Sequence, residues 1–397
     1  MDAPPLPYRL VDVDNHYYEP DDAFTRHLDP AFADRACHIV RGADGRGRPF
    51  VGSDPAYYLE MTPIDRIGRP GAVVADKDGR YRPLPDEEMI EPGKIPRLYD
   101  REARLEWMDE EGIEAVVMWP SLGLGMEWQL RDDPAACAAN LSAFNRWVDE
   151  AWGFDHRRRI FAVPTLTLVD LEAAVRELDV VLRRGARMVH VLFTPVSTPK
   201  GGRTIAHPDF DPFWARLAEA GVPVAFHGAE AGYCDLFSDA FGETRRPPAH
   251  RQSAFQRAVF WERPIMDTLA ALVLHNLFGR FPALQAVSVE NGSAWVPYLL
   301  RVMDKAQKTG QFGHWLGGKI DDRPSEIFKR HVSVAPFDDD DLRGLIDLLG
   351  ADRVLFGSDY PHPEGVAKPF DFLRGRALAD DELQKIGRAN TAKLLGL

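Results

Sequence analysis

Residues 222–227 read Val222-Pro223-Val224-Ala225-Phe226-His227, an unbroken apolar run that stops on a histidine and is followed by Gly228. Short continuous runs of this kind are the mark of parallel strands buried on both faces, where helices cover each side of the sheet. The histidine then stands where the strand leaves the sheet. Working outward, the same figure recurs seven times. Upstream lie Tyr8–Asp14 (YRLVDVD), Glu114–Trp119 (EAVVMW), Ile160–Leu166 (IFAVPTL) and Arg187–Phe193 (RMVHVLF). Downstream lie Leu284–Glu290 (LQAVSVE), His331–Ala335 (HVSVA) and Arg353–Ser358 (RVLFGS).

Between the runs the period changes from strand to helix. Arg101–Glu111 carries Leu105 and Met108 and stops at Gly112; Pro134–Trp152 places Leu141, Phe144, Trp147 and Val148 at helical spacing. Asp170–Arg184, Asp209–Ala220 and Asp338–Leu349 each open on an acidic cap candidate and end at glycine. Eight strands alternating with helices fit an open doubly wound sheet or a closed barrel. The count of eight, and polar groups at strand ends from the first strand to the last, favour the barrel, because an open sheet gathers its site at one switch point. The fold class read from the sequence is therefore α/β, a (β/α)8 TIM barrel spanning residues 1–397 as a single domain.

Two stretches break the alternation, residues about 21–100 after strand one and about 228–253 after strand five. Insertions of this length are usually lids or binding loops. Both leave the C-terminal face, where barrel active sites lie.

The 397 residues carry a formal net charge of −13, with 45% hydrophobic and 27% charged residues. That balance argues against nonspecific binding to nucleic acid or anionic membrane, which needs clustered Lys and Arg. Arg157-Arg158-Arg159 is the nearest approach to a basic run and reads as a solvated or paired helix end. Cys37, Cys137 and Cys234 are odd in number and far apart, so neither a disulfide framework nor a zinc ribbon is implied. Together with an N-terminus lacking a secretory pattern, this points to the cytoplasm.

The chemistry-bearing residues sit at strand ends. Strand one ends in Asp12-Val13-Asp14-Asn15-His16, and residues two apart on a strand share a face, so Asp14 and His16 can offer an oxygen and a nitrogen to one point. His227 ends strand five and Asp359 ends strand eight. Asp14, His16, His227 and Asp359 are the expected metal ligands, a set that suits Zn, Mn or Fe and leaves room for water or substrate. Singly, each is as readily a capping or core residue. Glu290, at the end of strand six, is open between three readings: general base, ligand, or partner of a nearby arginine. His362 and Glu364, just past Asp359, are placed to orient it or touch substrate; Asn291 is a candidate substrate contact. His275 and Trp295 read as packing residues, and His190 lies within strand four rather than at its end. Arg66, Arg69 and Arg97 of the first insertion could hold a substrate carboxylate, or form surface ion pairs.

The segments DVDNHYYEP, VAFHGAE, LFGRFPALQAVSVENGSAWVPYLLRVMDK and LFGSDYPHPEG together resemble the amidohydrolase superfamily, within it the amidohydrolase-2 branch of aminocarboxymuconate-semialdehyde decarboxylase and related aromatic-acid decarboxylases. The resemblance runs from residue 10 to the C-terminus. It implies His-x-His on strand one, here Asp14 and His16, a metal-binding histidine on strand five, here His227, and the strand-eight aspartate, here Asp359. It implies a catalytic histidine on strand six, where this chain has Glu290. With no lysine ending strand four, it implies one divalent metal ion, with Zn favoured over Mn or Fe, and a homodimer. The catalytic group expected is Asp359, Glu290 and His362. The activity implied is non-redox decarboxylation of a small aromatic or unsaturated acid. The glutamate keeps open metal-dependent hydrolysis of an amide, ester, lactone or carbon–carbon bond, and a non-catalytic binding barrel remains a third reading.

Overall fold

The computed structural model describes residues 7–56, 65–73, 84–229, 231–245, 252–374 and 376–397. Seven parallel strands follow the sequence figure: Leu10–Tyr17, Ile113–Pro120, Ile160–Ala162 continued by Thr165–Leu166, Val189–Val191, Val224–His227, Ala286–Val289 and Val332–Val334. Each pairs with the next in chain order. Strand three is interrupted at Pro164, which has no N–H to give the ladder, yet its carbonyl still accepts from His190 N at 2.9 Å.

The eighth position forms no continuous ladder, and here the expected strand 353–358 differs in detail. The ring is joined through single bonds instead. Leu355 N donates to Val334 O at 2.9 Å on one side; Val13 N donates to Phe356 O at 3.0 Å and Asp359 N to Asp14 O at 2.9 Å on the other. Strand eight can come this close to strand one because residue 357 is glycine: a Cβ there would lie 2.7 Å from the Asp14 Cβ.

The helices stand where periodicity put them, at Arg101–Glu110, Pro134–Ala151, Leu171–Arg183, Asp211–Ala220 and Leu342–Leu349. Asp100, Asp133, Asp170 and Asp341 each accept a bond from a first-turn N–H, which satisfies donors the helix cannot use itself. Inside the barrel, Val11, Val13, Ala115, Val117, Phe161, Met188, Ala225, Val287, Val289 and Leu355 form a packed stack. Alternation carries that stack up to the site: Ala225 to His227, and Leu355 to Asp359.

The first insertion is more ordered than its composition suggests. Cys37–Arg41, Gly47–Val51 and Asp54–Pro55 form a three-stranded antiparallel sheet, and Ile67–Gly68 pairs with Met89–Ile90. These strands are too short to announce themselves by period. The second insertion contributes a helix, Tyr233–Phe241. Residues 57–64, 74–83, 230 and 246–251 of the two insertions lie outside the described residues. Among the described residues, no helix is long and apolar enough to cross a membrane.

Candidate metal centre

Strand one does not keep its register against strand two; it shifts between Asp12 and Asn15. Below the shift Val11 and Val13 face the barrel interior, and above it Asp14 and His16 take over that face, the kind of re-aiming a bulge performs. His16 Nε2 then lies 3.2 Å from Asp14 Oδ1, 3.3 Å from Asp359 Oδ1 and 3.6 Å from Glu290 Oε2. His227 Nε2 lies 3.2 Å from Asp14 Oδ1 and 3.1 Å from Glu290 Oε2. Both imidazoles are buried, and each has its other nitrogen near a backbone carbonyl, His16 Nδ1 at 3.3 Å from Pro120 O and His227 Nδ1 at 3.0 Å from Gly228 O. A proton on Nδ1 leaves the Nε2 lone pair facing the centre, the usual tuning of a metal-ligating histidine.

Glu290 reaches this point against the alternation of its strand. Val289 faces the interior, so the next residue on an extended strand would face the helices. A left-handed backbone at Glu290, φ +53°, swings the side chain back. Such a conformation costs an L-residue about 1–2 kcal/mol. Gly228 makes the room, since a Cβ there would stand 2.2 Å from the Glu290 carbonyl oxygen. Asp359 is left-handed as well, φ +54°.

Two overlapping groups of ligand atoms result, each within 4.8 Å throughout: Asp14, His16, His227 and Glu290, and His16, Glu290, Asp359 and His362. Three of the four expected ligands thus fall together with Glu290, and Asp359 falls in the adjoining group. The chemistry of the donors fits a divalent cation. His16 Nε2 is buried without a hydrogen-bond partner. Burial pushes Glu290 up to about 7, and burial followed by the charges of Glu290 and Asp14 pushes Asp359 well above the carboxylate range. Burial also works against Asp14, but the His16 and His227 imidazoles beside it hold its carboxyl below its usual range. Carboxylates this crowded and this dry call for a positive charge among them.

His362 stands behind Asp359. Its Nδ1 is 2.7 Å from Asp359 Oδ1 and its Nε2 3.1 Å from Ser121 Oγ, while its ring lies tilted against that of His16, centroids 3.9 Å apart. Ser121 lies just past strand two and carried no sequence signal. Nor did the support beneath the site. Asp12 accepts from Asp14 N, Asn15 Nδ2, Ser358 N and Ser358 Oγ, tying strand one to strand eight, and burial raises it to about 7. Arg104, fully buried, donates to His16 O at 2.8 Å and Arg97 O at 2.7 Å, fixing the strand-one end from outside.

The other candidates divide. Asn291 is buried, and its amide donates to Phe226 O at 2.9 Å and Val289 O at 2.7 Å, binding the ends of strands five and six. Trp295 packs and donates to Asn291 O. Glu364 is exposed at the rim, close enough for its charge to raise Asp359. His190 is buried inside the barrel against Trp119, outside both ligand groups, and His275 bonds Thr204 Oγ1. Arg66 pairs with Asp86 and Arg69 with Glu88, whereas Arg97 Nε donates to Tyr360 Oη at 2.6 Å. Arg157 pairs with Glu102 and Arg159 with Asp109, as a solvated basic run does.

The family profile described as amidohydrolase matches residues 121–397. A gamma-resorcylate decarboxylase of Rhizobium sp. (strain MTP-10005) is 23% identical over 317 residues, 76% of this chain and 89% of that protein. The crystal structure of an amidohydrolase from Mycobacterium avium subsp. paratuberculosis K-10 is 38% identical, with a TM-score of 0.89 over 99% of this chain and 100% of that one. The fold is shared by a 5-carboxyvanillate decarboxylase from Novosphingobium aromaticivorans, solved with manganese and 4-hydroxy-3-methoxy-5-nitrobenzoic acid, at 17% identity and a TM-score of 0.61 over 98% and 97% of the two chains.

Proposed function

The chain belongs to the amidohydrolase family, and from that premise we propose that it is a metal-dependent carboxy-lyase acting on a small aromatic acid. The observation that carries the reading is the meeting of Asp14, His16, His227 and Glu290 at the barrel mouth, with the Asp359–His362 pair beside them. Asp14, His16, His227 and Glu290 would hold a divalent cation there, which would supply Lewis-acid attraction for a substrate carboxylate. Zinc suits the donors, and manganese is supported by its presence in the carboxyvanillate enzyme.

The rest falls to the chain's own groups. Asp359 hands a proton to the ring carbon that the carboxylate leaves, so that the arene C–H replaces C–COO⁻ and CO₂ departs. His362 Nδ1 fixes the Asp359 oxygen, and Ser121 Oγ steadies the far side of that imidazole. Trp119, its ring centroid 4.7 Å from that of His227, seals the barrel below and keeps bulk water from entering beneath the site. One barrel domain over residues 1–397, a homodimer and a cytoplasmic location complete the proposal.

The test is turnover of ortho-hydroxybenzoates, beginning with gamma-resorcylate, by metal-loaded protein in D₂O. We expect CO₂ in step with arene deuterated at the vacated carbon. Incorporation of oxygen from labelled water without CO₂ would establish a hydrolase instead, and binding without turnover a non-catalytic barrel.

A further inference from the structure

We infer that Glu19 is a positioning residue for the proposed reaction: its buried carboxylate anchors the turn 121–123 and, through Ser121, sets which nitrogen of His362 holds a proton. The inference rests on the functional reading above and extends it to a residue that belongs to neither ligand group.

Glu19 follows the end of strand one at Tyr17 and is buried. Its Oε1 accepts from Leu122 N and Gly123 N, both at 3.0 Å, and its Oε2 accepts from Leu122 N at 3.2 Å. Taking an ionised carboxylate out of water is costly unless hydrogen bonds offset the loss. Burial pushes this carboxyl up to about 7, and the two N–H groups work against that rise. They belong to a turn outside the sheet ladder, since strand two ends at Pro120. Phe144 closes the other side of the turn, because a Cβ on Gly123 would stand 2.7 Å from its ring.

What the turn presents to the site depends on that grip. Pro120 O lies 3.3 Å from His16 Nδ1, and Ser121 Oγ lies 2.7 Å from Tyr17 O and 3.1 Å from His362 Nε2. A carbonyl only accepts, so the single hydroxyl proton of Ser121 goes to Tyr17 O. Toward His362 the hydroxyl then accepts, and His362 Nε2 carries a proton. His362 Nδ1 faces Asp359 Oδ1 at 2.7 Å, and two acceptors this close require a second proton between them. That shared proton is the one handed to the ring carbon in the proposed reaction. The bond to the carboxylate breaks, its electron pair returns to the ring, CO₂ leaves, and water returns a proton to the pair. With Nε2 protonated, the pair that gives up its shared proton is left with an ordinary neutral imidazole. Without Ser121 as acceptor, one proton on Nδ1 would satisfy the contact, and surrendering it would leave an imidazolate.

Nitrogen-15 histidine NMR of the full-length protein loaded with diamagnetic zinc reads the tautomer, with the His362 signals assigned by their loss in His362→Gln. The parent should show a proton on His362 Nε2, and Ser121→Ala and Glu19→Ala should both move it toward Nδ1. In turnover of gamma-resorcylate by metal-loaded protein, Glu19→Ala should lower kcat about 10–100-fold with KM little changed. Glu19→Gln, which keeps one acceptor oxygen for the turn, should recover most of that loss. The double variant Glu19→Ala/Ser121→Ala should lose no more than the worse single variant, because both act through one contact. Thermal melting establishes that the variants fold. Should Glu19→Ala not fold, Glu19→Asp, whose carboxylate stops one methylene short of the turn, takes its place. A folded Glu19→Ala or Glu19→Asp chain with parent-like kcat, losses that multiply in the double variant, or an unchanged His362 tautomer would overturn the inference. No turnover in the parent, with the NMR pattern as expected, would overturn the decarboxylase reading and leave the anchor standing.

Discussion

At the barrel mouth, single residues are held in states they would not adopt in water, and each such state has a measurable consequence. His16 is the clearest case, a buried imidazole whose Nε2 faces only potential ligands. His16→Ala should remove stoichiometric metal and lower kcat/KM by at least about 100-fold, the scale expected when a ligand rather than its support is lost; metal analysis of the purified variant checks this directly. Glu127 provides a test away from the centre. Burial raises its carboxyl to about 8, opposed only by the hydrogen bond from Thr167. The unfolded chain releases this proton near the ordinary value of 4.5, while the fold keeps it until about 8. The folded state therefore binds more protons in between, and stability declines as pH rises from about 4.5 to 8, then levels off. Glu127→Gln removes that decline. Its melting temperature should exceed the parent's at pH 8 and the gap should close toward pH 5; a gap that is constant with pH would show that Glu127 is not the group responsible.

At the scale of elements, the ends of strands decide the site, and here the sequence was only partly legible. His227 and Asp359 could be flagged because period-two alternation from Ala225 and Leu355 leads up to them, whereas Asp14 and His16 were flagged by their mutual spacing and reach the interior through the register shift after Asp12. Glu290 could be flagged but not placed, since its inward aim depends on a left-handed residue that alternation does not foresee. The supporting bonds of Asn291 were hidden for a related reason: after the same turn its amide donates to the carbonyls of Phe226 and Val289. Asn291→Ala should cost about 1–3 kcal/mol in chemical denaturation, the scale for losing two buried hydrogen bonds. Gly228→Ala should cost roughly 1–3 kcal/mol by forcing its Cβ against the Glu290 carbonyl. It should also weaken metal binding, which a purely local strain would leave untouched. Arg104 and Asp12 gave no signal at all, because what they do is hold the backbone of distant strands, and that pairing exists only once the barrel has closed.

At the scale of the whole molecule, eight short apolar runs were enough to name the barrel, since the alternation of strand and helix is carried by hydrophobic period and by acidic caps. The seam between strands eight and one was beyond that reasoning, as it relies on single backbone bonds and on Gly357 rather than on a regular ladder. The small antiparallel sheet in the first insertion was hidden by the brevity of its strands. The assembled barrel brings groups from strands one, five, six and eight to one point, and the proposed decarboxylation requires a metal ion held there. The most direct measurement is CO₂ release from gamma-resorcylate by chelator-stripped protein as manganese is returned in steps. Release should be absent without metal, rise with occupancy and level off at one ion per chain. Undiminished release from metal-free protein, or none at full occupancy across the ortho-hydroxybenzoates, would contradict it.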